Sequence, residues 1–164
     1  MIIIVFGLPG SGKSYFATSL AGILKADYIN SDQVRRRMFA VREYSGREKL
    51  AVYNEMLVQM YEAIKHHKDV VLDATFYTNQ IRKMFFEAAE DLDDVFFIEV
   101  RAEESLIIER LKKKRKDSEA DLSVYRKIKT QWEPLYEDHL LLQSTDNNLK
   151  EMLDKTCKYL HLVK

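Results

Sequence analysis

Ile2-Ile-Ile-Val-Phe6 runs without transition into Gly7-Leu-Pro-Gly10-Ser-Gly12-Lys13-Ser14, and this stretch decides the fold. Its first part is apolar, mostly β-branched and short, so it reads as a buried strand. Its second part fits G-x-x-x-x-G-K-[ST]. Beyond it, Tyr15 to Lys25 sets Phe16, Leu20, Ile23 and Leu24 at helical spacing. Strand, glycine loop and helix in that order form the context in which this pattern cradles phosphate. The glycines let the backbone curl so that successive N–H groups point inward. The helix adds the partial positive charge of its N-terminus. Gly7, Gly10, Ser11, Gly12, Lys13, Ser14 and Tyr15 are therefore the expected nucleotide-binding residues. Lys13 is expected to reach the β- and γ-phosphates, and the Ser14 hydroxyl to ligate Mg²⁺.

The bulk properties narrow the class. With 164 residues the chain suits one domain with a full core. Lys+Arg and Asp+Glu both number 26, so nothing global argues for a polyanionic partner and any basic surface is local. There is no apolar run of membrane-spanning length and no signal-peptide pattern, which points to a soluble cytoplasmic protein with no membrane partner. Cys157, the single cysteine, falls in an apolar helical pattern and is expected in the core. The four histidines show no zinc-ligand spacing, and His66-His67 suit a helix C-terminus.

Further along, residues 26–30 read as a strand that runs into a helix capped by Ser31 or Asp32. Residues 41–48 are polar, with Ser45-Gly46 as a turn. Leu50, Tyr53, Leu57, Tyr61 and Ile64 mark one face of a long helix. Residues 69–73 form a second buried strand ending in Asp73, and a loop then leads to a helix carrying Ile81, Phe85, Ala88 and Leu92. A strand at 95–100, helices at 105–116 and 121–132, a strand at 140–142 and a helix at 147–160 complete the chain. No repeat, low-complexity segment or linker interrupts it. Alternating strands and helices predict an α/β, three-layer sandwich of the P-loop NTPase type: a parallel five-stranded sheet with helices on both faces and a helical lid. The expectation is one domain over residues 1–164 with its lid at about 103–132.

Ligands of such sheets bind at the carboxyl ends of the strands. That rule gathers residues 7–14, 30–35 and 73–79 into one cleft. Asp32 is placed to take a proton from an acceptor hydroxyl, or simply to cap its helix. Asp73 is placed near Mg²⁺ or its waters, or else caps a helix or braces a loop. Arg35 follows Asp32 by three residues and shares its helical side, where it could hold an acceptor phosphate. Thr75, Phe76 and Arg82 are further candidates for the acceptor, with Phe76 and Tyr77 able either to stack on a base or to pack inward. Arg110 and Arg115 flank a basic run that could clamp donor phosphates and exclude water. Trp132 reads as core or lid packing. No N-K-x-D signature for guanine is present, so ATP is the expected donor.

Four blocks carry a family likeness: residues 7–14, Asn30-Ser-Asp-Gln-Val-Arg35, Val70-Val-Leu-Asp-Ala-Thr-Phe76, and Arg110 to Arg115. In these the chain resembles P-loop kinases grouped with polynucleotide 5′-hydroxyl kinases. The resemblance implies Asp32 as general base, Arg35 on a phosphate of the acceptor strand, Asp73 near the phosphates and a lid arginine on ATP. It implies Mg²⁺, a 5′-hydroxyl RNA or DNA end as acceptor, and possible fusion to or association with other end-processing domains. This chain departs from the family at the lid, where Lys114 precedes Arg115. Two alternatives stand beside that reading. One is a small-molecule kinase acting on a sugar, sugar acid, nucleoside or antibiotic, which the zero net charge suits. The other is a nucleotide-binding regulatory module without transferase activity.

Overall fold

The structure, a computed structural model, describes residues 1–90, 92, 94–113 and 121–162. Strand β1 (Ile2–Phe6) is buried along its whole length, which is why it carries no polar residue on either face. It is the middle strand of a parallel sheet. β2 (Asp27–Asn30) and β3 (Val70–Asp73) lie on one side of it, and β4 (Val95–Arg101) and β5 (Leu140–Gln143) on the other, giving the order β2-β3-β1-β4-β5. The chain leaves β1 towards β2 and later crosses to β4. The direction of winding therefore reverses at β1, and the crevice at the carboxyl end of such a strand is where open α/β sheets bind ligands.

The two faces of β1 pack against different helices. Ile2, Ile4 and Phe6 point into one apolar cluster, with Val52, Met56 and Met60 of α3 (Gly46–Lys65) and Phe85 of α4 (Asn79–Ala88). Ile3 and Val5 point into the other, with Phe16 and Leu20 of α1 (Lys13–Leu24) and Met152 of α7 (Leu149–Tyr159). This is the three-layer α/β sandwich that the alternating pattern predicts. Each of these side chains contributes roughly 1.5–3 kcal/mol by leaving water. Phe6 is also flanked by the rings of Trp132, stacked at 6.1 Å, and Phe97, edge-on at 6.5 Å. Trp132 thus packs on the sheet.

Four local features differ from what the sequence predicts. α2 (Ser31–Met38) begins at Ser31, and its cap is Asn30, whose side chain accepts from the Asp32 and Gln33 N–H groups at 3.0 Å each. The polar stretch at 41–48 already contains the first turn of α3, capped by Ser45. The helix expected at 105–116 is α5 (Glu104–Lys112), followed by α6 (Leu122–Gln131). Between them, residues 114–120 lie outside the described residues, and with them Lys114 and Arg115. Cys157 is half-buried on α7 rather than in the core.

Candidate functional site

The glycine loop is held from below and left open above. Gly7 passes so close to β4 that a Cβ there would meet the Val100 carbonyl oxygen at 2.3 Å, so only glycine fits. Gly12 takes a left-handed conformation (φ 93°) and serves as the N-cap of α1, with no side chain bonding the first turn. The contrast with neighbouring helices matters. Asn30, Ser45 and Thr78 cap α2, α3 and α4 with their side chains. Among the described residues no side chain bonds the first N–H groups of α1, as is also true of α5 and α7, so water or a ligand can satisfy them, and the positive end of the α1 dipole lies at the glycine loop.

That opening leads into a cavity of about 860 Å³, lined by Gly10, Gly12, Lys13, Ser14 and Tyr15 on one side. Tyr15 stands at the rim, 71% exposed. Ser11 does not line the cavity. Its side chain is buried, and its N–H donates to the Leu8 carbonyl at 3.1 Å to close the turn. Gly7 and Ser11 therefore shape the loop from behind, while Gly10, Gly12, Lys13 and Ser14 face the space.

Arg110 is the loop's outer brace. One of its terminal nitrogens donates to the carbonyls of Gly10 (3.4 Å) and Ser11 (3.2 Å) and to the Ser144 hydroxyl (3.2 Å). The other pairs with Asp146 at 3.2 Å. Expected as a phosphate clamp, it lines the cavity but engages its donors with the loop, Ser144 and Asp146.

Asp73 ends β3 fully buried. Its Oδ2 accepts from the Tyr28 hydroxyl at 2.6 Å and from the Asn30 amide at 2.7 Å. Burial, together with the adjacent Asp73 charge, pushes the Tyr28 phenol up, so it stays protonated and keeps donating. The other oxygen, Oδ1, is buried with no hydrogen-bond partner among the described residues, although Asp73 borders the cavity alongside Ser14. A buried carboxylate oxygen without a donor costs free energy unless a cation or water meets it. The pair Ser14 and Asp73 therefore fits Mg²⁺, a hard cation that takes oxygen ligands and keeps several waters. No cluster of three or more His, Cys, Asp or Glu able to hold a metal occurs among the described residues. Such a cation would draw its remaining ligands from phosphate and water.

Because Asn30 caps α2, the Asp32 carboxylate is released from that task and faces the cavity. Burial raises its pKa above the usual carboxylate value, while the charges of Lys13 and Arg35 pull it part of the way back. Arg35 donates to Asp32 at 3.2 Å and ion-pairs with buried Glu48 at 3.0 Å. Its guanidinium also lies 4.8 Å from the Tyr44 ring centroid. Expected to hold an acceptor phosphate, Arg35 is instead flanked by two acids of its own.

Two expected acceptor residues lie elsewhere. Phe76 is fully buried against Tyr53 and Phe85 at 5.3 and 4.9 Å, so it packs the core and offers no stacking face. Arg82 is 1% exposed and donates to the carbonyls of Phe76, Glu133 and Pro134 and to the Asn79 side chain. Burial lowers its pKa. It is a strut between two loops. Thr75 does border the cavity, beside Tyr53, whose buried hydroxyl is pushed up to about 12 and shares a 3.4 Å contact with the Thr75 hydroxyl.

The sequence reading missed Asn30 as a cap, Glu48 and Lys49 at the start of α3, and Ser144 behind the loop. Glu48 carried a signal: Ser45-Gly-Arg-Glu48 has the spacing of a capping box. Its Oε2 reaches further back than the usual box, to the N–H groups of Glu43 (2.6 Å) and Tyr44 (3.2 Å). Ser144 lies far from the loop in sequence, and no local pattern could have joined them.

A family profile described as an AAA domain matches residues 2–135. The chain belongs to that family. No curated protein sequence matches this AAA domain. Solved structures with the same architecture include a sugar kinase from Janibacter sp. HTCC2649, 14% identical with a TM-score of 0.76, covering 99% of this chain and 95% of that one. Chaetomium thermophilum Kti12 in complex with ADP-AlF3 is 22% identical with a TM-score of 0.66, covering 98% and 99%. The Mycobacterium tuberculosis APS kinase CysC in complex with AMPPNP and APS is 16% identical with a TM-score of 0.73, covering 98% and 96%. At these identities the likeness establishes the fold: a P-loop kinase-like α/β sheet.

Proposed function

We propose that this AAA domain is an ATP- and Mg²⁺-dependent phosphotransferase that moves the γ-phosphate to a hydroxyl of a small molecule. One observation carries the reading. A single cavity is bordered by the uncapped start of α1 with Lys13 and Ser14, by an Asp73 carboxylate oxygen with no hydrogen-bond partner among the described residues, and by an Asp32 that Asn30 has freed from capping.

In this reading the α1 N–H groups and Lys13 bind the donor phosphates. Ser14 and Asp73 hold Mg²⁺, which neutralises charge across those phosphates when bound. Asp32 accepts the proton of the acceptor hydroxyl as that oxygen bonds to the γ-phosphorus. The bond from phosphorus to the bridging oxygen breaks, and ADP leaves with its electron pair. Arg35 orients Asp32 through their 3.2 Å contact, and Arg110 keeps the loop in shape. Arg115 is assigned as the arginine that covers the donor phosphates, on the resemblance alone.

The sugar kinase and the APS kinase among the structural relatives support the small-molecule acceptor. A polynucleotide 5′-end draws less support, since Arg35, its intended phosphate contact, is already balanced by Asp32 and Glu48. The test is transfer of label from γ-labelled ATP with Mg²⁺ to sugars, sugar acids, nucleosides and 5′-hydroxyl oligonucleotides. Label on a small molecule is the expected result. Label on none of them, with folded protein that binds ATP, would overturn the proposal and favour a regulatory module.

A further inference from the structure

We infer that the acceptor site contains a subsite for one anionic group, carboxylate or phosphate, built around Lys49 and Tyr77 on the wall of the same cavity. The inference rests on the kinase reading for the position of the acceptor and goes beyond it in naming the acceptor's charge.

The charges of the acceptor half are unevenly matched. Arg35 has Asp32 at 3.2 Å and Glu48 at 3.0 Å. Lys49, half-buried on the cavity wall, has no ion pair among the described residues. Its Nζ has only the Tyr77 hydroxyl, at a long 3.4 Å, and the Tyr77 ring centroid at 5.2 Å. A phenol and a ring face hold an ammonium in place without neutralising it. Lys127 of α6 also borders this space without an ion pair among the described residues.

Helix physics makes the placement of Lys49 informative. It lies at the N-terminal end of α3, where the dipole is positive and acidic side chains are favoured. A cation there opposes the helix, so helix stability does not explain it. Arg47, equally misplaced by charge, is exposed and hydrated. Lys49 turns into the cavity instead, where an unmatched charge loses part of its hydration. Ser45 and Glu48 already serve the start of α3, so the unmatched charge on this wall is that of Lys49 itself, and an anion on the acceptor would match it. Both donor and acceptor must share one cavity of about 860 Å³, within the range of small-molecule sites, so the acceptor is compact.

The experiment measures binding and transfer on matched probes. With AMPPNP and Mg²⁺ present, calorimetry compares gluconate with sorbitol, and glycerol 3-phosphate with glycerol, on the wild type and on Lys49→Met and Lys49→Arg. An anionic probe is expected to bind about ten- to a hundredfold more tightly than its neutral partner, as a charged hydrogen bond implies. Lys49→Met removes that preference and Lys49→Arg keeps part of it, while AMPPNP affinity in the same titrations reports folding. The two pairs separate a carboxylate subsite from a phosphate one. Equal binding of charged and neutral probes, binding of none of the anions, or a preference that survives Lys49→Met overturns the inference. So does affinity that grows with the length of a 5′-hydroxyl oligonucleotide. Transfer to neutral probes alone refutes the anionic subsite and leaves the kinase standing. Anion binding dependent on Lys49 without transfer to any acceptor refutes the kinase and leaves the subsite.

Discussion

At Asp32 two opposing effects set one carboxylate's chemistry. Burial raises its pKa, and Lys13 and Arg35 limit the rise, so the group stays a base but a stronger one than a free aspartate. To act as the proposed general base it must be ionised, so the acidic limb of kcat/KM against pH should lie above the ordinary aspartate value of about 3.9. Asp32→Asn should lower kcat roughly 10²–10⁴-fold and leave nucleotide affinity nearly unchanged, as single-turnover and binding measurements would show. The same substitution has an opposite effect on stability. Below the unfolded-state pKa both states are protonated and the burial of charge costs nothing. Above the raised folded-state pKa the cost is fully present. Asp32→Asn should therefore raise Tm at pH 7 and not near pH 3, when followed by thermal unfolding. The gain should be about a degree or two, because the side chain is 35% exposed and solvent screens the effect. A fall in Tm at pH 7 would mean that the Arg35 contact outweighs burial.

At the level of elements, the site depends on how helices begin. α1 starts without a side-chain cap and keeps its N–H groups for a ligand, while α2 and α3 start with caps that fix what lies beside them. Glu48 does two jobs at the start of α3: it binds the Glu43 and Tyr44 N–H groups and holds Arg35. Removing one partner of a buried pair leaves the other charge uncompensated, so Glu48→Ala should destabilise by about 3–5 kcal/mol in denaturant unfolding. Glu48→Gln, which can still accept from the N–H groups, should lose less. Arg82→Met makes the complementary case. It strips donors from the Phe76, Glu133 and Pro134 carbonyls and should lower stability by about 1–3 kcal/mol or more, with acceptor KM unchanged at temperatures where the variant is folded. A large rise in acceptor KM would return Arg82 to the site. These elements also show what the sequence could reveal. Glycine spacing and alternating periodicity made the strand, loop and sheet readable, because each is a local pattern. Asn30-Ser-Asp32 offered three competent caps in a row, and only the backbone decides among them. Phe76 and Arg82 follow a strand end just as Thr75 does, but side-chain direction separates a core ring and a strut from a cavity wall, and that depends on distant Phe85, Glu133 and Pro134.

For the whole molecule, the winding reversal at β1 brings together parts that the chain keeps far apart. The loop after β1, Asp32 after β2, Asp73 at the end of β3 and Ser144 after β5 meet at one edge of the sheet. Binding there should therefore stabilise the fold as a unit. A ligand present at a hundredfold its Kd adds about 2.7 kcal/mol to the folded state. For a chain of this length that is a Tm rise of roughly 5–11 °C. AMPPNP with Mg²⁺ should produce a rise of this order in thermal unfolding. Lys13→Ala should abolish most of it at equal ligand concentration, since under the proposed reading the phosphates lose the lysine of the glycine loop. If Ser14 holds Mg²⁺ as proposed, Ser14→Ala, or chelation of Mg²⁺ in the wild type, should remove a smaller and mutually non-additive share, because both then act on the same ion. Asp32→Asn should retain the whole rise if Asp32 serves the acceptor as proposed. A full rise in Lys13→Ala would separate the nucleotide from the glycine loop. A lost rise in Asp32→Asn would place the donor on the acceptor side of the cavity and reverse the orientation assigned to the reaction.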